Sequence, residues 1–140
     1  MKTKQETLAH LNSLCKATLM ETLDITYTDF GDDYLIAQMP VNSRVHQPDG
    51  VLNGGATMAL AESVGSPASM LVVDPNKFVV RGISFTANHL KSVKEGVLTA
   101  TAKIIHKGRT THLVEISIKN EEGKLISLCK LTNIILPKTS

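Results

Sequence analysis

The spacing of hydrophobic residues changes along the chain, from helical intervals near the start to alternation in the second half. Over the first twenty-odd residues the apolar positions recur every three or four residues: Leu8, Leu11, Leu14, Cys15, Leu19 and Leu23. This spacing predicts an N-terminal helix over residues 1–22 with one apolar face. Two strand-like runs follow, Leu23 to Thr28 and Tyr34 to Pro40, with the turn-forming segment Asp29 to Asp33 between them. They predict a hairpin.

A second helical segment is predicted in the middle of the chain, from about Gly54 to about Met70 or Val72. Asn53 is a capping residue type in front of it, and Pro67 predicts a kink near its end. Its apolar residues leave hardly any polar side: Ala56, Met58, Ala59, Leu60, Ala61, Val64 and Ala68. A helix that is apolar nearly all round is expected to be buried.

Four long strand-like runs make up the rest of the chain, over residues 78–90, 96–106, 109–119 and 124–136. Their separators are short and turn-like, so neighbouring strands are predicted to pair antiparallel. The order of helix, hairpin, helix and four strands predicts one α+β domain over residues 1–140. In this fold a mostly antiparallel sheet curls around the central apolar helix.

The composition argues against several classes of protein. The 15 basic and 13 acidic residues give a net charge of +2, too small by itself to indicate nucleic-acid binding. Two cysteines without metal-ligand spacing predict neither a disulfide framework nor a metal site. No signal-like or membrane-spanning run occurs in the sequence, so a cytoplasmic protein is expected, with no membrane partner. One stretch is locally basic, and it fits either an anionic ligand such as a nucleotide phosphate or solvated strand ends: Lys91, Lys94, Lys103, His106, Lys107 and Arg109.

The most unusual residue is Glu62, a carboxylate on the otherwise apolar central helix. No Lys or Arg occurs between Arg44 and Lys77 to pair with it locally. An ionised carboxylate in apolar surroundings is costly unless it is paired or hydrogen-bonded. Two readings remain open. Glu62 is either a structural carboxylate held by distant groups, or a general base or nucleophile whose pKa is tuned by its surroundings.

Three segments together resemble the hotdog-fold thioesterases: GVLNGGATMALAESVGS, GISFTANHLKSVKEG and IIHKGRTTHLVEISI. The likeness is strongest to the branch that contains phenylacetate-pathway, aroyl-CoA and dihydroxynaphthoyl-CoA thioesterases, and it covers almost the whole chain. It implies hydrolysis of an acyl-CoA thioester with an aromatic or medium-length acyl group, without a metal or a cofactor. It also implies a homodimer with active sites at the subunit interface, often paired into a tetramer.

The resemblance also implies roles for particular residues. Gly54 would hold the thioester oxygen through its N–H, and Glu62 would be the catalytic carboxylate. Gln47, Asn53 and Ser66 match further catalytic positions, although many relatives have His where this chain has Asn53. The substrate-binding positions are expected at the glycine pair, after Glu62, on the ANH strand and along the CoA arm: Gly55, Ser63, Gly82, Asn88, His89, Lys107, Gly108, Arg109 and Thr110.

The spacing of Gly54 and Glu62 supports a dimer independently of the resemblance. Eight residues along a helix correspond to about 12 Å of rise, so one chain would struggle to bring both groups to one carbonyl. A twofold axis that sets two central helices antiparallel would place Glu62 of one subunit opposite Gly54 of the other.

Two alternatives to a thioesterase are considered. A hotdog hydratase would use a helix Asp or Asn with a nearby His, whereas this helix carries Glu62 and no His. A noncatalytic acyl-CoA sensor or scaffold is also compatible with the fold, because fold alone does not determine function. The sequence does not distinguish between acyl groups, between CoA and a carrier protein, or between water activation and direct attack by Glu62.

Overall fold

The computed structural model describes residues 1–139, which form one sheet, one long helix and a helical N-terminal segment. The helices are α1 (Lys4–Ser13), α2 (Leu19–Thr22) and α3 (Gly54–Met70), with a short 3-10 helix at Ser43–Val45. The strands are β1 (Thr26–Phe30), β2 (Tyr34–Val41), β3 (Phe78–His89), β4 (Gly96–Lys107), β5 (Thr111–Lys119) and β6 (Leu125–Pro137).

The six strands form one antiparallel sheet in the order β1-β2-β4-β5-β6-β3. Helix α3 contacts five of them, β2 to β6, so the sheet curls around it. The core between them is aliphatic, and its largest buried side chains include Leu35, Leu60, Leu98, Ile116 and Leu131. The α+β architecture predicted from the strand and helix order is confirmed.

The pairing of every strand with its neighbour in sequence was only partly correct. The predicted hairpins β1–β2, β4–β5 and β5–β6 are present, but β3 pairs with β6 at the sheet edge and β4 pairs with β2. The segment between β3 and β4 is therefore a crossover and not a hairpin turn. It is held at both of its ends, by Leu90 N–H donating to the Ile126 carbonyl and by Leu52 N–H donating to the Val93 carbonyl, both at 2.8 Å.

The single N-terminal helix predicted over residues 1–22 is wrong, because the chain breaks it into α1 and α2. Ala17 has a φ of 61°, a left-handed conformation that a continuing helix excludes. The Thr18 side chain then accepts a hydrogen bond from Met20 N–H and caps α2. The break also divides the predicted apolar face. Cys15 is buried, whereas Leu14 and Leu19 are 59% and 56% exposed.

The central helix starts where it was predicted, at Gly54, and ends at Met70, one of the two predicted ends. Its hydrogen bonding tightens at the end, where Val72 N–H donates to the carbonyl of Ser69, three residues back. Within residues 1–139, the structure contains no helix long and apolar enough to cross a membrane.

Candidate active site

The start of α3 leaves one backbone donor open. Asn53 accepts the N–H of Gly55 on its side-chain oxygen at 2.6 Å, as the capping prediction requires. Its main-chain carbonyl accepts the N–H groups of Ala56 and Thr57 at 3.1 and 3.2 Å. The N–H of Gly54 has no such partner among residues 1–139. A free N–H at a helix N-terminus, where the dipole is positive, favours an oxygen that carries negative charge.

Gly54 opens onto a pocket of about 310 Å³ between the helix start and the end of β3. Gln47 and His89 line the same pocket, so the structure brings these predicted residues together with Gly54. The fit is close at the glycine, because a Cβ on Gly54 would lie 2.9 Å from Nε2 of His89. The pocket has a mixed polar and apolar lining: Gln47, Val51, Leu52, Gly54, Thr57, His89, Leu90, Lys91, Ser92, Ile126 and Ser127. Of these, only Gln47, Gly54 and His89 were predicted from the sequence as site residues, and the other lining residues, Thr57 and Ser127 among them, were not.

Glu62 lies elsewhere, in a second and more open groove of about 520 Å³ along the outer face of α3. The expected burial of the whole helix is wrong for the single chain, because Glu62 is exposed and Met58 and Met70 beside it are 41% and 53% exposed. Within residues 1–139, the Glu62 side chain takes part in no salt bridge or hydrogen bond. The groove is lined by residues of α2 and α3: Leu19, Met20, Gly55, Met58, Ala59, Glu62, Ser63, Ser66, Pro67 and Met70.

Both sides of α3 carry apolar residues, but they differ in what covers them, which explains why Glu62 is exposed. One side packs on the sheet through Leu60, Ala61, Val64 and Ala68, all buried. The other side also carries apolar residues, among them Met58, Ala59 and Met70, and within residues 1–139 only Leu19 and Met20 of α2 join α3 in lining the groove there. The composition of α3 therefore indicated an apolar environment on both sides, whereas the fold of one chain provides it only on one.

A buried polar network connects the sheet to the Glu62 groove. Ser66 Oγ donates to Oδ1 of Asn133 at 3.3 Å, and the Asn133 amide donates to the Gly65 carbonyl and to Ser69 Oγ at 3.2 and 2.9 Å. Ser69 in turn contacts Nδ1 of His112 at 2.9 Å. Burial, followed by the positive charge of nearby groups, lowers the pKa of His112. Asn133 and His112 are thus connected to the predicted site residue Ser66. The sequence pattern of their strands did not indicate this connection.

Two further predicted residues, Gly82 and Asn88, lie at different places along β3. Gly82 pairs with Asn133, and a Cβ there would lie 3.6 Å from Ser66 Oγ, so Gly82 belongs to the Glu62 side. Asn88 pairs with Leu128, close to the Gly54 pocket.

The turn with Lys107, Gly108, Arg109 and Thr110 lies far from Gly54. Lys107 lines a surface pocket with Leu71 and Val72, just beyond the C-terminal end of α3. The 17 residues of α3 correspond to a length of about 25 Å. In one chain, therefore, the predicted site residues lie in three places: the Gly54 pocket, the Glu62 groove, and the turn beyond the C-terminal end of α3.

Neither cysteine has the surroundings of a reactive thiol. Cys15 and Cys129 are both buried and unpaired, and burial raises the pKa of the Cys129 thiol to about 11. Among residues 1–139, no group of three or more His, Cys, Asp or Glu side chains is arranged to hold a metal ion.

Comparison with known proteins identifies the family of the chain. The family model described as the thioesterase superfamily matches residues 49–127, a range that includes the start of α3 and Glu62. The chain is 41% identical over 130 residues to the 1,4-dihydroxy-2-naphthoyl-CoA hydrolase of Escherichia coli, covering 93% of this chain and 95% of that protein. It is also 41% identical over 130 residues to the proofreading thioesterase EntH of Cronobacter sakazakii, covering 93% and 94%.

Solved structures give the same result. The crystal structure of a mutant of the thioesterase PA1618 from Pseudomonas aeruginosa superposes with a TM-score of 0.91 at 42% identity, covering 94% of each chain. The thioesterase HI1161 from Haemophilus influenzae gives a TM-score of 0.89 at 38% identity, covering 98% of this chain and 92% of that one. The chain therefore belongs to the thioesterase superfamily, and it is a thioester hydrolase with the hotdog fold.

Proposed function

We propose that the protein hydrolyses an acyl-CoA thioester with an aromatic or medium-length acyl group, releasing the free acid and CoA. The observation that carries this proposal is the free N–H of Gly54 at the start of α3, open to the 310 Å³ pocket. A fixed donor at a helix N-terminus stabilises the oxyanion that forms when a thioester carbonyl is attacked. An aromatic acyl group is supported by the relative named as a hydrolase of 1,4-dihydroxy-2-naphthoyl-CoA.

Glu62 supplies the second half of the chemistry. As a general base it takes a proton from water while the water oxygen attacks the thioester carbon, and the tetrahedral oxyanion then collapses with loss of the CoA thiolate. As a nucleophile it attacks the same carbon, expels the thiolate, and forms an anhydride that water hydrolyses. Ser66 lines the same groove, and its hydroxyl proton is directed to Asn133. Its oxygen lone pairs are therefore free to accept a hydrogen bond from the attacking water.

The two halves meet only if two chains associate. Gly54 and Glu62 open onto different pockets of one chain, and the outer side of α3 is an uncovered apolar surface around a carboxylate. A second copy related by a twofold axis would cover this surface and set its Gly54 against Glu62 of the first. The proposed enzyme is therefore a homodimer, and two dimers then pair into a tetramer as the family resemblance implies.

The basic turn from Lys107 to Thr110 is the proposed site for the CoA phosphates. Lys107 and Arg109 are exposed there, and they provide positive charge near the C-terminal end of α3. With Glu62 opposite Gly54 of the partner subunit, the C-terminal end of α3 extends about 12 Å past the partner's helix start. A CoA arm would therefore extend from the carbonyl site along that end of α3 toward the turn. The location that fits this substrate is the cytoplasm.

Thiol release from a panel of aromatic and aliphatic acyl-CoAs at equal concentration tests the proposal. We expect turnover, with the highest kcat/KM for an aromatic or medium-length acyl group. Tight binding of acyl-CoA without release of CoA would instead identify a noncatalytic sensor. Turnover limited to acyl groups on a carrier protein would retain the chemistry and overturn the assignment of CoA.

A further inference from the structure

His89 and Ser127 form a pair that the expected roles leave unexplained. His89 is the last residue of β3, directly across from Ser127 in the register of β3 with β6. Nδ1 of His89 lies 2.5 Å from Oγ of Ser127, a short hydrogen bond. Ser127 is fully buried, and its side chain has no other hydrogen-bond partner among residues 1–139.

This isolation sets the direction of the hydrogen bond. If Nδ1 carried the proton, Ser127 would accept, and its own O–H would be left buried without an acceptor, which is unfavourable. If Ser127 donates to Nδ1, every polar group of the pair is satisfied. A neutral imidazole that accepts at Nδ1 carries its proton at Nε2.

The Nε2 atom is at the start of α3. A Cβ on Gly54 would lie 2.9 Å from it, and both residues line the 310 Å³ pocket. Within residues 1–139, Nε2 of His89 has no hydrogen-bond acceptor. Two unpaired N–H groups, one from the backbone of Gly54 and one from the ring of His89, are therefore presented to the same space.

We propose that Ser127 is a positioning residue that holds His89 as the Nε2–H tautomer, so that His89 and the Gly54 N–H donate together to the substrate's carbonyl oxygen. This inference rests on the proposed function, because the second donor is assigned to the same oxyanion.

The tautomer is measurable without any substrate. In protein labelled with ¹⁵N, the two ring nitrogens of His89 give distinct chemical shifts for a protonated and an unprotonated nitrogen. At a pH where the ring is neutral, we expect protonated Nε2 and unprotonated Nδ1 in the wild type. In Ser127→Ala the two shifts should move toward averaged values, because nothing then selects one tautomer. A wild-type ring protonated at Nδ1, or already averaged, would overturn the proposal.

Two substitutions at His89 separate the nitrogens by function. Gln places an amide near the position of Nε2, whereas Asn places one near the position of Nδ1. We therefore expect His89→Gln to keep kcat within about threefold of the wild type. His89→Asn should lower kcat by about 100-fold, the scale for loss of one oxyanion donor. Ser127→Ala should lower kcat by about tenfold, corresponding to one lost hydrogen bond, with a smaller change in KM. Equal losses in the Gln and Asn variants would contradict the role of Nε2.

A double-mutant cycle then tests whether Ser127 acts through His89. In the His89→Gln background there is no tautomer to select, so adding Ser127→Ala should change kcat less than twofold. If Ser127→Ala still lowered kcat tenfold in that background, Ser127 would act through packing and not through the His89 tautomer. Ser117→Ala on β5 is the matched control for loss of a hydroxyl from the sheet.

The outcomes separate this inference from the proposed function. An Nε2–H tautomer in a protein that hydrolyses no thioester would refute the proposed function, and with it the oxyanion role of His89. Turnover together with the wrong tautomer would refute only the present inference.

Discussion

The two sides of α3 differ in how their polar groups are satisfied. On the sheet side, Ser69, Asn133 and His112 are buried and hydrogen-bonded to one another. On the outer side, Glu62 is exposed between methionines and has no partner within residues 1–139. Buried polar groups that are fully satisfied stabilise one packing arrangement, whereas a polar group left without partners is available for a ligand or a second chain. We therefore expect substitutions on the sheet side of α3 to affect mainly stability, and substitutions on the outer side to affect mainly turnover.

The largest effect is expected at Glu62. Glu62→Gln or Glu62→Ala should lower thioester turnover by at least about 100-fold, the scale for losing a positioned base or nucleophile. The free energy of unfolding of a single chain should change by less than about 0.5 kcal/mol, because the side chain is exposed and unpaired. Thiol-release assays with thermal melts measure both quantities, and the exposed Glu21→Gln is the control. A folded Glu62→Ala protein with near wild-type turnover would remove Glu62 from the mechanism.

Mixing two inactive chains tests whether the outer side of α3 meets a second copy. Glu62→Ala is combined with Gly54→Pro, which lacks the proposed donor N–H. Each heterodimer would hold one intact site, so purified heterodimers should regain about half of the wild-type activity. The Pro chain must first be shown to fold and to dimerise. Verified heterodimers without activity, or a fully active monomer, would rule out a shared site.

On the sheet side, Asn133→Leu should cost about 2–3 kcal/mol of stability. The substitution leaves the Gly65 carbonyl without its side-chain donor and removes the partner of Ser66, and unsatisfied buried groups cost about 1–3 kcal/mol each. Denaturant unfolding measures the loss. Asn76→Leu is the control, since Asn76 is exposed and its side chain has no hydrogen-bond partner within residues 1–139. Equal stabilities for the two variants would mean that the network contributes nothing.

A smaller effect on the same side is a pH dependence through His112. Burial, and then the charges of Lys107 and His106, lower the pKa of His112 below its ordinary value of 6.5. The unfolded chain therefore takes up the proton first, and protonation favours unfolding. The stabilising contribution of neutral His112 to the folded state is fully present above pH 6.5. It is lost as the pH falls from 6.5 through the lower pKa of His112 in the folded state. Unfolding measured from pH 8 to 5 should show a shallower decline for His112→Asn than for the wild type, and equal slopes would contradict the prediction.

The smallest change in activity is expected at Asn53, the residue that caps the start of α3. Asn53→His should be tolerated and should alter the rate or the substrate range, because both side chains can donate to a carbonyl oxygen but only His titrates near neutral pH. A pH–rate profile on several acyl-CoAs measures the change. If Asn53→His and Asn53→Ala both leave every rate unaltered, the residue is only a helix cap.

Local sequence signals predicted most of the elements. The alternation of Leu98, Ala100, Ala102 and Ile104 correctly predicted β4, because a strand with one buried face must alternate. Asn53 followed by the glycine pair predicted the start of α3. The break in the N-terminal helix was missed, since apolar periodicity continues through Ala17 and does not report the capping by Thr18.

For the candidate site, the residue types and their spacing were readable from the chain alone: one carboxylate on an apolar helix, a glycine pair behind a cap, and a spacing of eight residues from Gly54 to Glu62. Which of these groups lie together depends on the packing of the whole chain. The tertiary structure brought His89 to Gly54 by pairing β3 with β6, left Glu62 in a separate groove, and joined Ser66 to Asn133 and His112. Strand order and long-range contacts depend on which edges and faces compete for burial across the whole chain. A local pattern therefore predicts an element and its chemistry, but not the neighbour against which that element packs.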